Sequence, residues 1–323
     1  MRWICWPLAL AFAGSSSHLG AEQPVDGVAW LNKIVSATKK LNYSGSFTYS
    51  SGSQIETSRI TRVVDAGGER EKLEVLDGSP REVTRVNSQV KCYLPEERTV
   101  IIDQSVRGRT FPARLSDSLS KVTEYYRVRI GEIGRVAGRV SQMLILEPKD
   151  GLRYGHQLWA DTASGLLLRT RMVNDRGEPI EQFMFTDVTI GAQVDKDKLK
   201  PRFLNKSADW RIINARATDS PNDEGDWVFR TQLPGYQQGT WMRRRMQADR
   251  PEAFHVVFSD GLAAISVFIE PIRSNHPERV GVFSSGPFNV YKRIQGDFVL
   301  TLLGEVPATA VKLLGDGIEQ RRK

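Results

Sequence analysis

Cysteine is scarce in this chain, with two among 323 residues. The first, Cys5, lies in an apolar run over residues 3–13 that follows Arg2 and precedes small residues. A short basic start, an apolar stretch and then small residues are typical of a secretory signal peptide, so we predict that residues 1–21 are removed on export. The mature chain then keeps only Cys92 and can form no internal disulfide bond in an oxidising compartment.

Cys92 shares a predicted strand face with Val90 and Leu94. An unpaired thiol is best tolerated in such a compartment where solvent does not reach it. We therefore expect Cys92 to be buried and to act as a small hydrophobic side chain, with a redox role as the alternative.

Histidine is nearly as scarce, and the usual chemical motifs are missing. The mature chain holds His156, His255 and His276, none with another histidine or a cysteine within five residues, so no zinc motif is present. The Gly-x-Ser-x-Gly elbow, the Walker loop and the dinucleotide fingerprint are absent too. After the signal, no run approaches the roughly 18 apolar residues of a membrane-spanning helix. We expect an exported, soluble protein without a metal, a cofactor or a catalytic site.

The composition is that of a globular chain of about two domains, with 40% hydrophobic and 26% charged residues. The formal charge of +7 falls to +6 when Arg2 leaves with the signal. This charge is spread along the chain, and exported proteins rarely meet nucleic acid, so we expect no nucleic-acid partner.

The mature chain begins with a predicted helix and continues with strands. Asp26 suits an N-cap, and apolar residues recur at three- and four-residue steps from Val28 to Leu41. From Tyr43 the period becomes two, and short strands follow between turn signals. The gaps are too short for crossover helices, which predicts an antiparallel meander with one interior helix over residues 116–126.

The strand pattern ends near Phe203, and a polar stretch follows. We interpret that stretch as a linker that contains a domain boundary. The predicted organisation is an N-terminal domain over 22–204, a linker over 205–225 and a smaller C-terminal domain over 226–323.

A hairpin is the clearest element of the C-terminal domain. Its strands, 255–259 and 262–269, are joined by Asp260-Gly261, which we interpret as a two-residue turn. That turn pairs residue 259 with 262 and residue 256 with 265, and it puts His255 on the face opposite the apolar one. Pro307 opens a closing helix. The shared apolar face consists of Phe254, Val256, Phe258, Ile265 and Val267.

Two features of the sequence could bind a ligand or a partner. The first is a set of aromatic residues in the N-terminal meander, which either line an apolar groove or pack in the core. The second is a basic run, which is either a solvated surface or an anion site for lipid phosphate or an acidic peptide. The aromatic set is Phe47, Tyr49, Trp159, Phe183 and Phe185, and the basic run is Arg243, Arg244 and Arg245 beside Trp241.

Short strings along the whole mature chain resemble one protein family. Their order covers the chain from its first predicted helix to its last. The strings are Trp30-Leu31, Leu41 to Tyr49, Glu56 to Ile60, Leu76 to Val83, His255 to Pro271 and Gly304 to Pro307. The chain therefore resembles the MucB/RseB family of periplasmic regulators.

This resemblance implies an α+β, mostly antiparallel fold: a large N-terminal domain similar to LolA and LolB, with an unclosed β-barrel covered by helices, and a small C-terminal domain. It implies binding to the periplasmic domain of a MucA- or RseA-type membrane anti-sigma factor, which shields that factor from the site-1 protease. Lipopolysaccharide or a related anionic lipid would release the anti-sigma factor from this protein. The family offers no catalytic motif to match. A periplasmic lipid or lipoprotein carrier is the alternative function, and a homo-oligomer is a possible assembly.

Overall fold

The computed structural model describes residues 26–103, 119–191, 196–214, 218–219, 226–244, 252–272 and 279–321. The predicted signal peptide, residues 1–21, lies outside the described residues, as does Arg245. We number helices and strands in chain order.

Helix α1 spans Gly27–Lys40 and confirms the predicted first element. The Asp26 carboxylate accepts a hydrogen bond from the Val28 amide at 2.9 Å, as expected of an N-cap. Helix α2, Leu119–Tyr125, lies against α1 and confirms the described part of the predicted interior helix.

The N-terminal half forms one large sheet, which contains twelve strands among the described residues. Its order is β12-β6-β5-β4-β3-β2-β1-β11-β10-β9-β8-β7. The strands are β1 Tyr43–Ser51, β2 Gln54–Asp65, β3 Gly68–Val75, β4 Glu82–Val86, β5 Gln89–Leu94, β6 Thr99–Asp103, β7 Tyr126–Val136, β8 Arg139–Pro148, β9 Gly155–Asp161, β10 Leu167–Val173, β11 Pro179–Ile190 and β12 Arg211–Asn214.

The predicted antiparallel meander is confirmed for β1 to β6 and for β7 to β11, and the pairing of β1 with β11 joins the two runs. Strand β12 differs, because it lies parallel to β6. The described pairings leave β12 and β7 as free edges, so the sheet is unclosed. The predicted fold class, mostly antiparallel β with covering helices, is confirmed.

The two faces of the large sheet have different surroundings. We call inner the face that carries Leu144 and Leu158, because both pack in one cluster with Leu31 and Ile34 of α1. The alternation of strand side chains places Phe183 on the same face, since its register partner Thr170 also pairs with Leu158. The opposite face is called outer.

The C-terminal half forms a smaller sheet, with the described order β13-β16-β17-β18-β21-β20-β19 and β15 beside β17. Strands β14 and β22 form a separate pair. Helix α3, Ala308–Asp316, follows Pro307 as predicted and packs on β20 and β21. The strands are β13 Thr218–Asp219, β14 Trp227–Phe229, β15 Gln237–Gln238, β16 Met242–Arg244, β17 Ala253–Ser259, β18 Ala264–Pro271, β19 Gly281–Ser285, β20 Phe288–Gln295, β21 Phe298–Gly304 and β22 Ile318–Gln320.

The predicted register of the β17–β18 hairpin is wrong by two residues. Ser259 pairs with Ala264, and Val256 pairs with Val267, so four residues connect the strands. The cause is the Asp260 side chain, whose Oδ1 accepts hydrogen bonds from the amides of Leu262 and Ala263 and holds a wider loop. A shift of two residues leaves every side chain on its predicted face.

The predicted linker, residues 205–225, contains two strands that join different sheets. Strand β12 adds to the large sheet, and β13 pairs with β16 of the smaller one. The position of the domain boundary within this stretch stays a prediction.

The predicted burial of Cys92 is wrong in degree. The thiol is half-buried on β5, whereas its neighbour Tyr93 is 2% exposed on the other face of the strand. The reason is that the outer face of β5 packs beneath the segment that follows β11, in which Lys200 accepts a hydrogen bond from Lys72 through its carbonyl oxygen. Partial burial still raises the pKa of the Cys92 thiol.

Candidate functional site at the domain junction

The loop between β8 and β9, residues 149–154, makes several hydrogen bonds between the two domains. The Leu152 carbonyl oxygen accepts a hydrogen bond from the Tyr236 hydroxyl at 3.1 Å. The Gly151 carbonyl oxygen accepts one from Thr309 at 3.2 Å, where α3 begins. The same loop therefore holds both the first part of the smaller domain and its last helix.

A buried ion pair lies at the centre of the junction. Arg153 Nη1 is 3.2 Å from Asp260 Oδ2, and both side chains are 0% exposed. Arg153 also lies 3.2 Å from Asp150 through Nε, and its Nη2 donates to the Pro234 carbonyl oxygen at 2.6 Å. The Tyr126 hydroxyl donates to Asp260 Oδ2 at 3.4 Å. Both charges are thus met by several partners, as burial demands.

Three tyrosine rings surround the Arg153 guanidinium. Its central carbon lies 4.8 Å from the ring centroid of Tyr125, 5.7 Å from that of Tyr126 and 5.0 Å from that of Tyr236. Such ring faces attract a cation. Burial, followed by the nearby Asp260 carboxylate, raises the pKa of Tyr126 and of Tyr236, so both hydroxyls stay neutral donors.

Gly235 permits this close packing. Its φ of +79° lies in the left-handed region, and a Cβ atom there would come within 2.5 Å of the Tyr125 ring. Any other residue would strain the turn and push the ring away from Arg153.

A groove of about 880 Å³ opens beside the ion pair, between the two domains. Its walls are the β8–β9 loop, the turn between β10 and β11, and the start of α3. Its polar lining includes Tyr154, His156, Asn174 and Asn289. Asn174 bonds to Glu178 in the β10–β11 turn, and Asn289 donates to the Tyr154 hydroxyl and to the Val306 carbonyl oxygen. This volume falls within the usual range of ligand sites in proteins.

The aromatic residues predicted to line a groove lie in two places. Phe47, Phe183 and Phe185 are 1–3% exposed on the inner face. Their ring centroids lie 4.8 Å apart for Phe47 and Phe183, and 5.0 Å apart for Phe183 and Phe185. The three rings therefore pack against one another on the inner face. Tyr49, half-buried, pairs in register with Phe183 on the same face.

Trp159 lies on the outer face. It pairs with Arg169, which in turn pairs with Met184, whereas Phe183 belongs to the opposite set of alternating side chains. The sequence analysis grouped Trp159 with the phenylalanines because alternation within one strand does not show which face of the sheet each side chain shares with residues of a distant strand.

The basic run of the smaller domain is also divided. Trp241 is 1% exposed and packs in the core, with its ring centroid 5.7 Å from that of Phe229. Arg243, on β16, is exposed, and its guanidinium carbon lies 5.1 Å from the Phe254 ring centroid. Arg244 belongs to β16 by its backbone, and Arg245 lies outside the described residues.

The sequence did not predict that Arg153 and Asp260 form the junction. The sequence predicts turns at Asp260-Gly261 and at Asp150-Gly151, which precedes Arg153. Neither pattern indicates that the residue contacts another domain. Within the described part of the chain, no group of three or more His, Cys, Asp or Glu side chains is arranged to hold a metal ion. Among the described residues, no helix is both long enough and apolar enough to cross a membrane.

The fold and its junction define a class of protein: a two-domain α+β protein in which a large unclosed antiparallel sheet and a smaller sheet enclose a groove. Two family models match the chain, the MucB/RseB N-terminal domain over residues 26–203 and the MucB/RseB C-terminal domain over residues 221–319. The chain belongs to the MucB/RseB family, as its sequence strings indicated.

Known relatives agree over nearly the full length. The sigma factor AlgU regulatory protein MucB of Pseudomonas aeruginosa is 32% identical over 306 residues, which are 92% of each chain. The sigma-E factor regulatory protein RseB of Haemophilus influenzae is 22% identical over 97% of this chain and 96% of its own. The solved complex of P. aeruginosa MucA and MucB contains a chain that matches with a TM-score of 0.73 at 25% identity, covering 92% of this chain and 100% of that one.

Proposed function

We propose that this protein is a periplasmic regulator that binds the periplasmic domain of a MucA- or RseA-type anti-sigma factor and acts by binding, without catalysis. The observation that carries the proposal is the likeness to MucB, whose structure in complex with the MucA periplasmic domain matches this chain with a TM-score of 0.72. The relatives are named as regulators of sigma factors, which supports the same function.

The junction groove is the part of this chain that we assign to the anti-sigma segment. An extended peptide presents unpaired backbone amides and carbonyls along its length, so it binds best where polar groups line a channel. Gln157 and Asp175 line the groove with polar groups from the larger domain, and Thr309 lines it from the smaller one. A segment held there contacts both domains at once, so its affinity depends on their arrangement.

A bulky substitution in the groove tests this assignment. Ala308 lines the groove at the start of α3, and Ala308→Trp would fill it. We expect at least tenfold weaker binding of the purified anti-sigma periplasmic domain by isothermal titration calorimetry. Leu313→Trp is the matched control, because Leu313 is 45% exposed on the same helix and lies away from the groove. Equal affinity of both variants would remove the groove from the proposal, and no binding by the parent protein would overturn the function.

Masking follows from this mode of binding. A protease needs its substrate segment extended and accessible, so a segment held in the groove is protected while it is bound. We expect the anti-sigma periplasmic domain to be cleaved more slowly by its site-1 protease when this protein is present. Unchanged cleavage at saturating protein would contradict the masking role. Cell fractionation of the exported protein should recover it in the periplasmic fraction.

Release by lipopolysaccharide or a related anionic lipid is the second part of the proposal. Linkage requires the lipid to bind the released form more tightly than the complex. We assign the basic strand a part in this step, since Arg243 is exposed. Replacement of Arg243, Arg244 and Arg245 by Glu should weaken binding to lipid or partner, and undiminished affinity for both would reject the role. Transfer of bound lipid to acceptor vesicles would instead indicate a carrier.

A further inference from the structure

We propose that the outer face of the large sheet carries a binding site for the phosphate group of an organic phosphate, formed by Arg169, Arg171 and Gln182 around Trp159. The site lies apart from the junction groove and from the basic strand. It rests on side-chain geometry alone and does not depend on binding of an anti-sigma factor.

Strand register brings these side chains together. Arg169 pairs with Trp159 across β9 and β10, and Arg171 follows two residues later on the same face. Gln182, on β11, pairs with Arg171. Three neighbouring strands in the middle of the sheet therefore position the site, which makes it rigid.

Both guanidinium groups lie over one indole ring. The Arg169 central carbon is 4.5 Å from the Trp159 ring centroid, and that of Arg171 is 5.6 Å away. The ring holds the two cations beside each other by cation–π attraction. Arginine in such a stacked arrangement presents its remaining N–H groups in a fixed plane.

The two cations converge on a single neutral oxygen. Gln182 Oε1 accepts hydrogen bonds from Nε and Nη2 of Arg169 at 3.0 and 2.6 Å, and from Nε and Nη2 of Arg171 at 3.2 and 3.0 Å. One amide oxygen thus receives four N–H groups that carry two positive charges. Among the described residues, no carboxylate forms an ion pair with either arginine.

This arrangement contrasts with that of two other arginines of the same face. Arg127 and Arg129 both pair with Glu147, at 3.6 and 2.7 Å. Two like charges held together without an anion repel each other, which costs free energy that an anionic ligand would recover. The described part of the chain therefore provides a counter-charge for Arg127 and Arg129 and none for Arg169 and Arg171.

The charge and the surroundings favour an organic phosphate. A phosphate monoester carries about two negative charges at neutral pH and three terminal oxygens, which match two guanidinium forks, whereas one carboxylate would neutralise only one of them. Two half-buried apolar side chains flank the site: Met143 pairs with Trp159, and Met184 pairs with Arg169. They would contact the organic part of the ligand.

Binding of two probes tests the site and distinguishes a free phosphate ligand from the phosphate of a lipid headgroup. The probes are inorganic phosphate, followed by equilibrium dialysis, and phosphatidylcholine vesicles with or without phosphatidic acid, followed by co-sedimentation. We expect the parent protein to bind the phosphatidic acid vesicles and to release them as salt is raised. Binding of inorganic phosphate as well would indicate a free phosphate ligand, and binding of the vesicles alone would indicate a lipid headgroup; both results support the site.

The variants are chosen to remove charge in two places. Arg169→Gln with Arg171→Gln should weaken binding by about tenfold or more for each arginine, the usual worth of a hydrogen bond to a charged group. Arg127→Gln with Arg129→Gln is the control, because it also removes two positive charges from the outer face. It should leave the affinity within about twofold, because Arg127 and Arg129 already pair with a carboxylate.

Gln182→Glu provides a variant that keeps the fold. A carboxylate at this position would supply the missing anion from within the protein, so phosphatidic acid vesicles should no longer bind while the protein stays folded by circular dichroism. Unchanged binding in Gln182→Glu, or equal losses in the two double variants, would overturn the proposal. Stronger competition by an acidic peptide than by phosphate would also overturn it and would assign the face to a protein partner.

Discussion

Arg153 lies in the loop between β8 and β9, and Arg169 and Arg171 lie nearby in sequence on β10, yet the surroundings of their charges are opposite. Arg153 is fully buried at the domain junction, where Asp260 and Asp150 meet its charge. Arg169 and Arg171 are half-buried on the outer face, and their described partner is the neutral oxygen of Gln182. A guanidinium with its own carboxylates fixes the structure, and one without them remains available to a ligand.

The difference also separates the two functional surfaces. The charges at the junction already have their counter-charges, so a partner there must fit between the two domains. The outer face offers a charge that nothing in the described chain completes, so a ligand there adds a missing contact. Three changes to individual charges test this contrast.

The largest effect should follow from breaking the junction pair. Arg153→Met leaves the Asp260 carboxylate buried without its cation, and loss of one partner of a buried pair costs about 3–5 kcal/mol. We expect that decrease in the free energy of unfolding, measured by urea denaturation, together with weaker binding of the anti-sigma periplasmic domain.

Two further variants isolate the charge from the packing. Arg153→Met combined with Asp260→Asn removes both charges and keeps an acceptor for the loop amides, so it should cost less than the sum of the single changes. Arg127→Met removes an exposed arginine and should change stability by less than about 0.5 kcal/mol. A small loss in Arg153→Met would show that the pair does not hold the junction.

A smaller effect, of opposite sign, should follow from completing the outer-face site. Gln182→Glu replaces the neutral oxygen with a carboxylate between two guanidinium groups, and charge-assisted hydrogen bonds are stronger than neutral ones. We expect thermal unfolding to report a gain of about 1 kcal/mol. Gln54→Glu, at an exposed position of β2, is the control and should give no gain. A destabilised Gln182→Glu protein would mean that the two arginines do not lack an anion.

The smallest effect concerns a third arginine, Arg62, which resembles Arg153 in having two carboxylates. Its Nη1 lies 2.6 Å from Glu69 and 3.4 Å from Glu71, and its Nη2 donates to the Thr38 carbonyl oxygen of α1. Burial raises the pKa of Glu71 despite the nearby arginines. The folded protein therefore holds the Glu71 proton more tightly than the unfolded chain does.

This sign gives a pH dependence. The contribution of Glu71 to stability is fully present below its unfolded pKa and is lost as the pH rises through the raised folded value. Urea denaturation across that range should show the fall, and Glu71→Gln should flatten it. Glu69→Gln, which removes the other carboxylate of Arg62, should leave the fall in place. An equal slope in the parent and Glu71→Gln proteins would contradict the assignment.

Local patterns in the sequence predicted the elements well. Asp26 and the apolar spacing after it indicated α1, and the period of two from Tyr43 indicated β1, because capping and burial act over a few residues. The family strings supplied the arrangement of the two domains. The β17–β18 register failed because Asp260 takes part in a side-chain contact that residue type alone does not reveal.

The functional surfaces were harder to predict. Strand alternation states which residues share a face within one strand, but the face of Trp159 relative to Phe183 depends on the pairing of β9, β10 and β11. The Arg153–Asp260 contact joins loops of different domains. Such contacts are set by the packing of whole sheets, which a single sequence pattern does not contain.

The attachment of β12 and β13 to different sheets has a consequence for motion. Strand β12 ends at Asn214 and β13 begins at Thr218, and a chain of that length extends at most about 14 Å. This short connection joins the two sheets. If the junction contacts break, the two domains therefore remain near each other, at an effective local concentration in the millimolar range. A partner that needs the open junction must then compete with rapid intramolecular reclosure, which makes capture depend on the partner's own concentration.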